Sequence, residues 1–257
     1  MNYKEIIRRN FEEWKTLGKC NDAVQLNEKV GEEYFDTADP HFFTGDIYAQ
    51  IALIQLNPKR DKKAWYSEDF KKYNDFSEYW DFYTHFGAKM YGVNSKRDHT
   101  SRFDNKQIHF LKPFNILPFS EKDKYHNLEV VVDKKLQLEL VPFGSPNFDY
   151  KKIGIENLMP YIHQLIDVLT ITNREYIIFC GRVFHELLKN YIVKEKTHSF
   201  HLEKVDGSTT QQKYDVINVI LQYKEKEIKA CIAPQFAQQG CPIKRYGEKV
   251  SNLYGVF

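Results

Sequence analysis

The stretch Asp46-Ile47-Tyr48-Ala49-Gln50-Ile51-Ala52-Leu53-Ile54-Gln55-Leu56-Asn57-Pro58 indicates the fold class of this chain most directly. It becomes almost continuously apolar toward its end and then stops at an Asn-Pro pair. Such a run is typical of a strand that is buried on both faces, as in a parallel sheet, and proline ends it. The stretch therefore predicts an inner strand of an α/β protein, followed by a turn at residues 56–58.

The rest of the chain alternates between helix and strand patterns. Apolar residues at helical spacing predict helices within residues 1–35, 68–91, 155–171, 183–188 and 245–253. Apolar runs predict strands at residues 128–132, 136–141, 175–182, 216–221 and 228–232, and polar composition predicts irregular segments at 92–105 and 198–213. This alternation predicts a three-layer α/β/α sandwich around a central, mainly parallel sheet. We expect one domain over residues 1–257, with an N-terminal helical segment at 1–40 and the α/β core at 45–257.

Composition excludes several classes of protein. The net charge of +2 is below that of proteins that coat nucleic acid, although two basic stretches follow predicted strand ends, at residues 58–63 and 243–246. None of the four cysteines forms a CxxC pair, so neither a zinc site nor an iron–sulfur cluster is predicted, and no metal or cofactor is expected. Without a signal peptide pattern or an apolar stretch of about 18–20 residues, we expect a cytoplasmic protein with reduced thiols.

Four predicted strand ends carry the candidate site. They are residues 56–58, 141–145, 180–182 and 232–236. In an open α/β sheet, ligands bind beyond the carboxyl ends of the strands. We therefore expect the four strand ends to converge on one crevice.

In their order and spacing, these strand ends resemble the uracil-DNA glycosylase superfamily over about residues 45–255. Residues 45–58 are similar to the first motif of that family, in which a strand ends in Asn-Pro or Asp-Pro. Residues 141–145 resemble the strand end that faces the base pocket, and residues 177–182 resemble a later strand–glycine–helix step. Residues 233–236 occupy the place of the His-Pro-Ser-Pro loop, which wedges into the duplex. The resemblance implies a monomeric DNA glycosylase that flips a base out of DNA and hydrolyses its N-glycosidic bond.

The resemblance also implies roles for individual residues. Asn57 would position the attacking water through its amide oxygen, and Arg182 and Gln235 would complete the catalytic set. The base pocket would include Pro58, Lys59, Tyr66, Phe143 and Ser145, with Trp65 as a further stacking candidate. Contacts to DNA would come from Arg60, Lys62, Lys244 and Arg245, with Phe236 as the wedge.

This sequence departs from the family pattern at two site positions. Lys59 stands where the uracil-specific branch has an aromatic residue that blocks pyrimidines with a group at C5. A pocket that accepts 5-substituted pyrimidines is therefore expected. Ala233 replaces the histidine that opens the wedge motif, so the hydrogen bond to the departing base would come from another residue. The candidates are Arg182, Gln235, His163 and His185.

Three alternatives stay open from the sequence. A non-catalytic protein of the same fold would read a modified base without cleaving it, and the missing histidine favours this. An unrelated α/β hydrolase is less well supported, because the chain has no Gly-x-Ser-x-Gly, phosphate-cradling or HExxH motif and only 12 glycines. A partner-binding protein would show an exposed apolar patch. DNA repair and defence against DNA with modified bases both fit a glycosylase.

Overall fold

A computed structural model of the chain describes residues 2–58, 73–92, 101–235 and 241–257. The strands in these ranges are β1 (Phe43–Gly45), β2 (Ile51–Gln55), β3 (Leu136–Glu139), β4 (Tyr176–Cys180), β5 (Ile192–Glu203), β6 (Thr209–Tyr223) and β7 (Lys226–Ala233). They form one mixed sheet of order β1-β3-β2-β4-β7-β6-β5. The four central strands β3, β2, β4 and β7 are parallel, whereas β1, β5 and β6 are antiparallel to their neighbours. The protein is therefore of the α/β class.

The central strands are buried because they are apolar on both faces. Every residue of β2 and of β3 is buried, and so are the last four residues of β4. Parallel strands covered on both sides require this composition. The prediction of an inner strand that ends just before Asn57 is confirmed. Gly45 ends β1 at φ +89°, and a Cβ there would collide with the carbonyl oxygen of Lys135, so glycine is required where β1 meets β3.

Ten α-helices lie in the described ranges. They are α1 (Tyr3–Leu17), α2 (Asn21–Val30), α3 (Phe76–Thr84), α4 (Phe86–Tyr91), α5 (Arg102–Leu111), α6 (Lys124–Lys134), α7 (Tyr150–Ile153), α8 (Ile155–Leu169), α9 (Val183–Leu188) and α10 (Ile243–Leu253). The predicted N-terminal helices are confirmed. A capping box between Asn2 and Glu5 begins α1, and Gly18 in the left-handed conformation ends it. One cluster of buried apolar side chains runs from Ile7 in α1 to Val250 in α10, so the N-terminal helices share the core of the sheet.

The strand predicted at residues 128–132 is wrong, because these residues lie in helix α6. Asp123 caps this helix by accepting hydrogen bonds from the backbone of Tyr125 and His126. Leu128, Val131 and Val132 are buried. Their i, i+3, i+4 spacing places them on one face of the helix, and this burial and the cap outweigh the preference of valine for strands.

The irregular segment predicted at residues 198–213 is also wrong, since most of it belongs to the hairpin β5–β6. Most residues of β5 are exposed, so the segment lacks the apolar alternation that marks a half-buried strand. Short connections from β5 to β6 and from β6 to β7 force antiparallel pairing. The sheet is for this reason mixed, and the prediction of a mainly parallel sheet holds only for its central four strands.

The loop predicted at residues 92–105 ends earlier than expected, because α5 begins at Arg102. Ser101 caps α5 by accepting a hydrogen bond from the backbone N–H of Asp104. Residues 93–100 of this prediction lie outside the described residues. All four cysteines are free thiols, and Cys180 and Cys231 are buried in the core as expected.

Candidate functional site

The turn at residues 56–58 is held against the segment that follows β3. The backbone N–H of Leu140 donates to the carbonyl of Gln55 (2.9 Å), and that of Val141 donates to the carbonyl of Leu56 (2.9 Å). Further along, the N–H of Ser145 donates to the carbonyl of Pro58 (3.1 Å). The pairing of β2 with β3 thus continues past both strand ends. It brings together the first two of the four predicted strand ends.

The side-chain amide of Asn57 has a fixed orientation. Its Nδ2 donates to the carbonyl of Phe143 (3.2 Å), to Ser145 Oγ (2.8 Å) and to the carbonyl of Pro58 (3.0 Å). Two of these three acceptors are carbonyl oxygens, which cannot donate, so the nitrogen rather than the oxygen must face them. Because all three bonds use Nδ2, Oδ1 is the atom through which Asn57 would accept a hydrogen bond from water.

Ser145 and Phe143, both predicted for the base pocket, accept hydrogen bonds from this amide. Ser145 is 1% exposed, and its hydroxyl donates to the carbonyl of Asn147 while accepting from Asn57. The ring of Phe143 is fully buried, so its contact with Asn57 is made by its carbonyl group rather than by its ring. Pro58 is half-buried and follows directly. These residues shape the turn, and the Phe143 ring packs in the core.

Replacing Ser145 with alanine is expected to lower the free energy of unfolding by about 1–2 kcal/mol, because it leaves the Asn57 amide and the Asn147 carbonyl without their buried hydroxyl partner. Urea denaturation measures this change. Ser251→Ala is the control, since Ser251 Oγ makes one hydrogen bond, to the carbonyl of Pro113 (3.2 Å), at a partly buried position. An equal, small effect of both substitutions would contradict the supporting role of Ser145.

The other two strand ends meet beside this turn. The backbone N–H of Gly181, after β4, donates to the carbonyl of Ala233 at the end of β7 (2.8 Å). Gly181 lies beside the side chain of Leu56, and a Cβ built on Gly181 would be in van der Waals contact with that side chain at 3.5 Å. A crevice of about 480 Å³ opens here, and five of the residues that line it come from the predicted strand ends: Leu56, Gly181, Arg182, Pro234 and Gln235. A crevice is therefore present at the carboxyl ends of the strands, but only three of the four predicted strand ends line it. Asn57, Pro58 and residues 141–145 are not among its lining residues.

Arg182 lines the crevice and forms an ion pair with Asp215 in the long hairpin β5–β6. Its Nη2 donates to Asp215 Oδ2 (2.7 Å), and Ser199 Oγ donates to Asp215 Oδ1 (2.7 Å). The side chain of Arg182 is 60% exposed, compared with 25% for that of Asp215. A pair this exposed contributes little to stability, and its effect is to orient the guanidinium group.

Five residues of the crevice were not predicted from the sequence, and one of them, Val183, directly follows a predicted strand end. Phe148 and Tyr150 come from the segment between β3 and α8, and Gln212 and Lys213 come from β6. Phe148 and Tyr150 follow the strand end at residues 141–145 closely, so their position in the sequence could have predicted them as crevice residues. The two β6 residues had none, because their segment has the composition of a loop.

The remaining described candidates lie apart from the crevice. His163 Nε2 contacts the hydroxyl of Tyr191 (2.6 Å), and His185 Nε2 contacts Glu195 Oε2 (2.8 Å), both at exposed positions. Lys244 and Arg245 are exposed at the start of α10, and Arg245 pairs with Glu248 (3.1 Å). Neither histidine lines the crevice, which leaves Arg182 and Gln235 as the candidates to replace the histidine missing at Ala233.

Six predicted site residues lie outside the described residues. They are Lys59, Arg60, Lys62, Trp65, Tyr66 and Phe236. Their proposed roles in the base pocket, in phosphate contacts and in the wedge stay predictions.

A buried polar group lies just below the strand ends. Gln55 and Glu139 are register partners in β2 and β3, and both are less than 10% exposed. Glu139 accepts a hydrogen bond from Gln137 (2.7 Å), which in turn accepts one from the ammonium group of Lys135 (3.2 Å). Burial raises the pKa of Glu139 to about 8 and lowers the pKa of Lys135 to about 8. Among the described residues, Glu139 Oε2 has no hydrogen-bond partner.

Within the described ranges, no three or more His, Cys, Asp or Glu side chains are grouped so as to hold a metal ion. None of the helices in the described part of the chain has the length and apolar character that crossing a membrane requires.

Comparison of the chain with protein-family models, with curated proteins and with solved structures found no match.

Proposed function

We propose that this protein is a DNA glycosylase that hydrolyses the N-glycosidic bond of a uracil or 5-substituted pyrimidine. The single observation that carries the proposal is the crevice at the ends of β2, β4 and β7, with the fixed amide of Asn57 at the adjacent turn. Hydrolysis of this bond develops positive charge on the sugar and negative charge on the base. It therefore requires a held water on one side and hydrogen-bond donors on the other.

Asn57 would hold the water. Its Nδ2 is bound to Phe143 and Ser145, so Oδ1 is presented in one direction. A preoriented acceptor avoids the reorganisation that a free amide would undergo during the reaction. The amide is a weak base, which suits a reaction in which the departing base leaves before the water is deprotonated.

Gln235 and Arg182 would act on the departing base. Both line the crevice and carry N–H donors, whereas Ala233 is buried and offers no side-chain donor. Gln235 would donate to a base carbonyl, and the positive charge of Arg182 would stabilise the negative charge that develops without contacting the base. The rings of Phe148 and Tyr150 would stack on the base, an interaction worth about 1–3 kcal/mol per base.

This proposal includes a fold of the uracil-DNA glycosylase type, as a three-layer sandwich. Two groups of helices support the outer layers. Helix α6 contacts α4 and α5, and α5 contacts α10; α8 contacts α1, α7 and α9, and α3 links the two groups through its contacts with α1 and α4. DNA would be the partner, and the protein would act as a monomer in the cytoplasm.

Plain uracil should not be the preferred base. The resemblance places Lys59 where the uracil-specific branch has its blocking aromatic ring, so we expect oligonucleotides with 5-substituted pyrimidines to be cleaved at least as fast as those with uracil. Initial rates on a matched set of oligonucleotides with uracil, thymine and 5-hydroxymethyluracil measure this preference. Strict preference for uracil would show that another residue performs the exclusion.

The second candidate is a non-catalytic protein that reads a modified base, and Ala233 is the observation that favours it. Treatment of base-modified DNA with the protein, followed by alkali, separates the two functions. A glycosylase leaves alkali-labile sites with the wild-type chain and far fewer with Asn57→Ala. A base reader binds the modified DNA with both proteins and leaves no such sites with either.

A further inference from the structure

The long hairpin β5–β6 supplies a charged part of the crevice lining. Gln212 and Lys213 of β6 line the crevice together with Arg182. Lys213 and Asp215 lie two residues apart on β6 and are paired with His201 and Ser199 of β5. Side chains of a strand alternate between its faces, so Lys213 and Asp215 share one face, with their Cα atoms about 7 Å apart. Two cations, Arg182 and Lys213, therefore lie on one side of the crevice, and the carboxylate of Asp215 lies beside them.

Asp215 fixes the direction of the guanidinium group. It is itself held by the hydroxyl of Ser199 (2.7 Å), and it accepts one hydrogen bond from Nη2 of Arg182 (2.7 Å). A guanidinium group has five N–H donors, and this is its one hydrogen bond to the described residues. A planar donor group that is held at one edge presents its other donors as a preformed site for a phosphate.

Other parts of the lining are apolar or aromatic. Leu56 and Pro234 come from the strand ends, and Phe148 and Tyr150 are half-buried. The volume of about 480 Å³ falls within the range of roughly 300–1,000 Å³ that small-molecule sites have. Such a site suits a molecule that joins a flat ring to an anionic group.

We infer that the crevice binds a whole nucleotide, with its phosphate held by Lys213 and the guanidinium group of Arg182. A free nucleoside monophosphate is then a ligand in its own right. This inference rests on the proposed function, because the bound unit corresponds to the nucleotide flipped from DNA. It adds the β5–β6 hairpin to the substrate site.

Calorimetric titration of the full chain with deoxyuridine monophosphate, deoxyuridine and inorganic phosphate tests the inference. We expect the monophosphate to bind about tenfold or more tightly than the nucleoside, because only the monophosphate offers an anionic acceptor to both cations. Lys213→Gln should remove about five- to tenfold of that affinity and leave the affinity for deoxyuridine unchanged. A uracil-containing oligonucleotide should displace the monophosphate competitively, which identifies the DNA strand and the free nucleotide as users of the same site.

Lys196→Gln is the matched control. Lys196 is an exposed lysine of the same hairpin, paired with Asn218, and its odd spacing from the His201–Lys213 pair places it on the opposite face. We expect this variant to bind all three probes as the wild type does.

Three results would overturn the inference. They are equal affinity for the monophosphate and the nucleoside, no binding of either, and an equal effect of Lys213→Gln and Lys196→Gln. These outcomes are independent of catalysis. If the protein releases no base from DNA but still binds the monophosphate more tightly than the nucleoside, the proposed hydrolase activity is contradicted and the nucleotide site is retained. If it releases base but binds the monophosphate and the nucleoside equally, the nucleotide site is contradicted and the hydrolase activity is retained.

Discussion

Asn57→Ala is expected to slow base release by about 10²–10³-fold, the usual effect of removing one group that positions a reactant or stabilises a transition state. The amide of Asn57 is bound through Nδ2 to Phe143 and Ser145, so it can present Oδ1 to water without reorganising. Alanine offers water no acceptor at this position. DNA affinity should stay within about threefold of wild type, because the substitution removes no charge that contacts phosphate. Single-turnover assays of abasic-site formation and fluorescence anisotropy with labelled DNA measure the two quantities.

The control for this substitution is Asn173→Ala. Asn173 is exposed on the loop before β4, at the opposite end of the central strands from the crevice. It should retain the wild-type rate. If Asn57→Ala also retained that rate, Asn57 would have a role in the turn alone, and the water would have to be held by another group.

Glu139→Gln is expected to stabilise the protein, by an amount that grows with pH. Burial raises the pKa of Glu139 from 4.5 to about 8, so the folded chain keeps this carboxyl protonated where the unfolded chain releases its proton. Each pH unit between these values costs the wild type about 1.4 kcal/mol of stability. Glutamine stays neutral and can accept the same hydrogen bond from Gln137 through its carbonyl oxygen.

The sign follows from the direction of the pKa shift. A raised pKa stabilises the folded chain fully below the unfolded value, and that stability is lost as pH rises through the folded value. The lowered pKa of Lys135 acts at higher pH, between about 8 and 10.5, and there stability falls as pH falls. From pH 5 to pH 7, the advantage of Glu139→Gln over the wild type should therefore increase by roughly 2–3 kcal/mol.

Urea denaturation at pH 5, 6 and 7 measures this difference. Glu203→Gln is the control for loss of a negative charge, and it should change the free energy of unfolding little at any of the three pH values because Glu203 is exposed. An advantage of Glu139→Gln that is independent of pH, or a loss that grows with pH, would show that Glu139 is ionised in the folded protein and stabilised by Lys135.

Sequence patterns predicted the central sheet because its strands are buried on both faces. β2 and β4 are continuous apolar runs that stop at Asn-Pro and at glycine, and both signals are local. The convergence of their ends then follows from parallel pairing alone. This is why Leu56, Gly181, Arg182, Pro234 and Gln235 were predicted near one another.

The same patterns failed where burial is one-sided or absent. The hairpin β5–β6 is largely exposed, so its composition resembles a loop, and Lys213 and Gln212 were missed with it. In α6, a run of three valines suggested a strand, whereas the cap at Asp123 lies outside the run. At Phe143, a turn separates the residue from its strand, and the side-chain alternation that would indicate a buried ring no longer applies there.

The most direct test of the central claim is the amount of free base released from DNA. The wild-type chain, in excess over oligonucleotides with uracil or a 5-substituted pyrimidine, is incubated with the DNA, and the supernatant is analysed by liquid chromatography. We predict one free base for each abasic site, with release reduced at least about 100-fold by Asn57→Ala. Tight binding of the modified DNA without any free base would contradict the glycosylase and support a protein that reads the base without cleaving it.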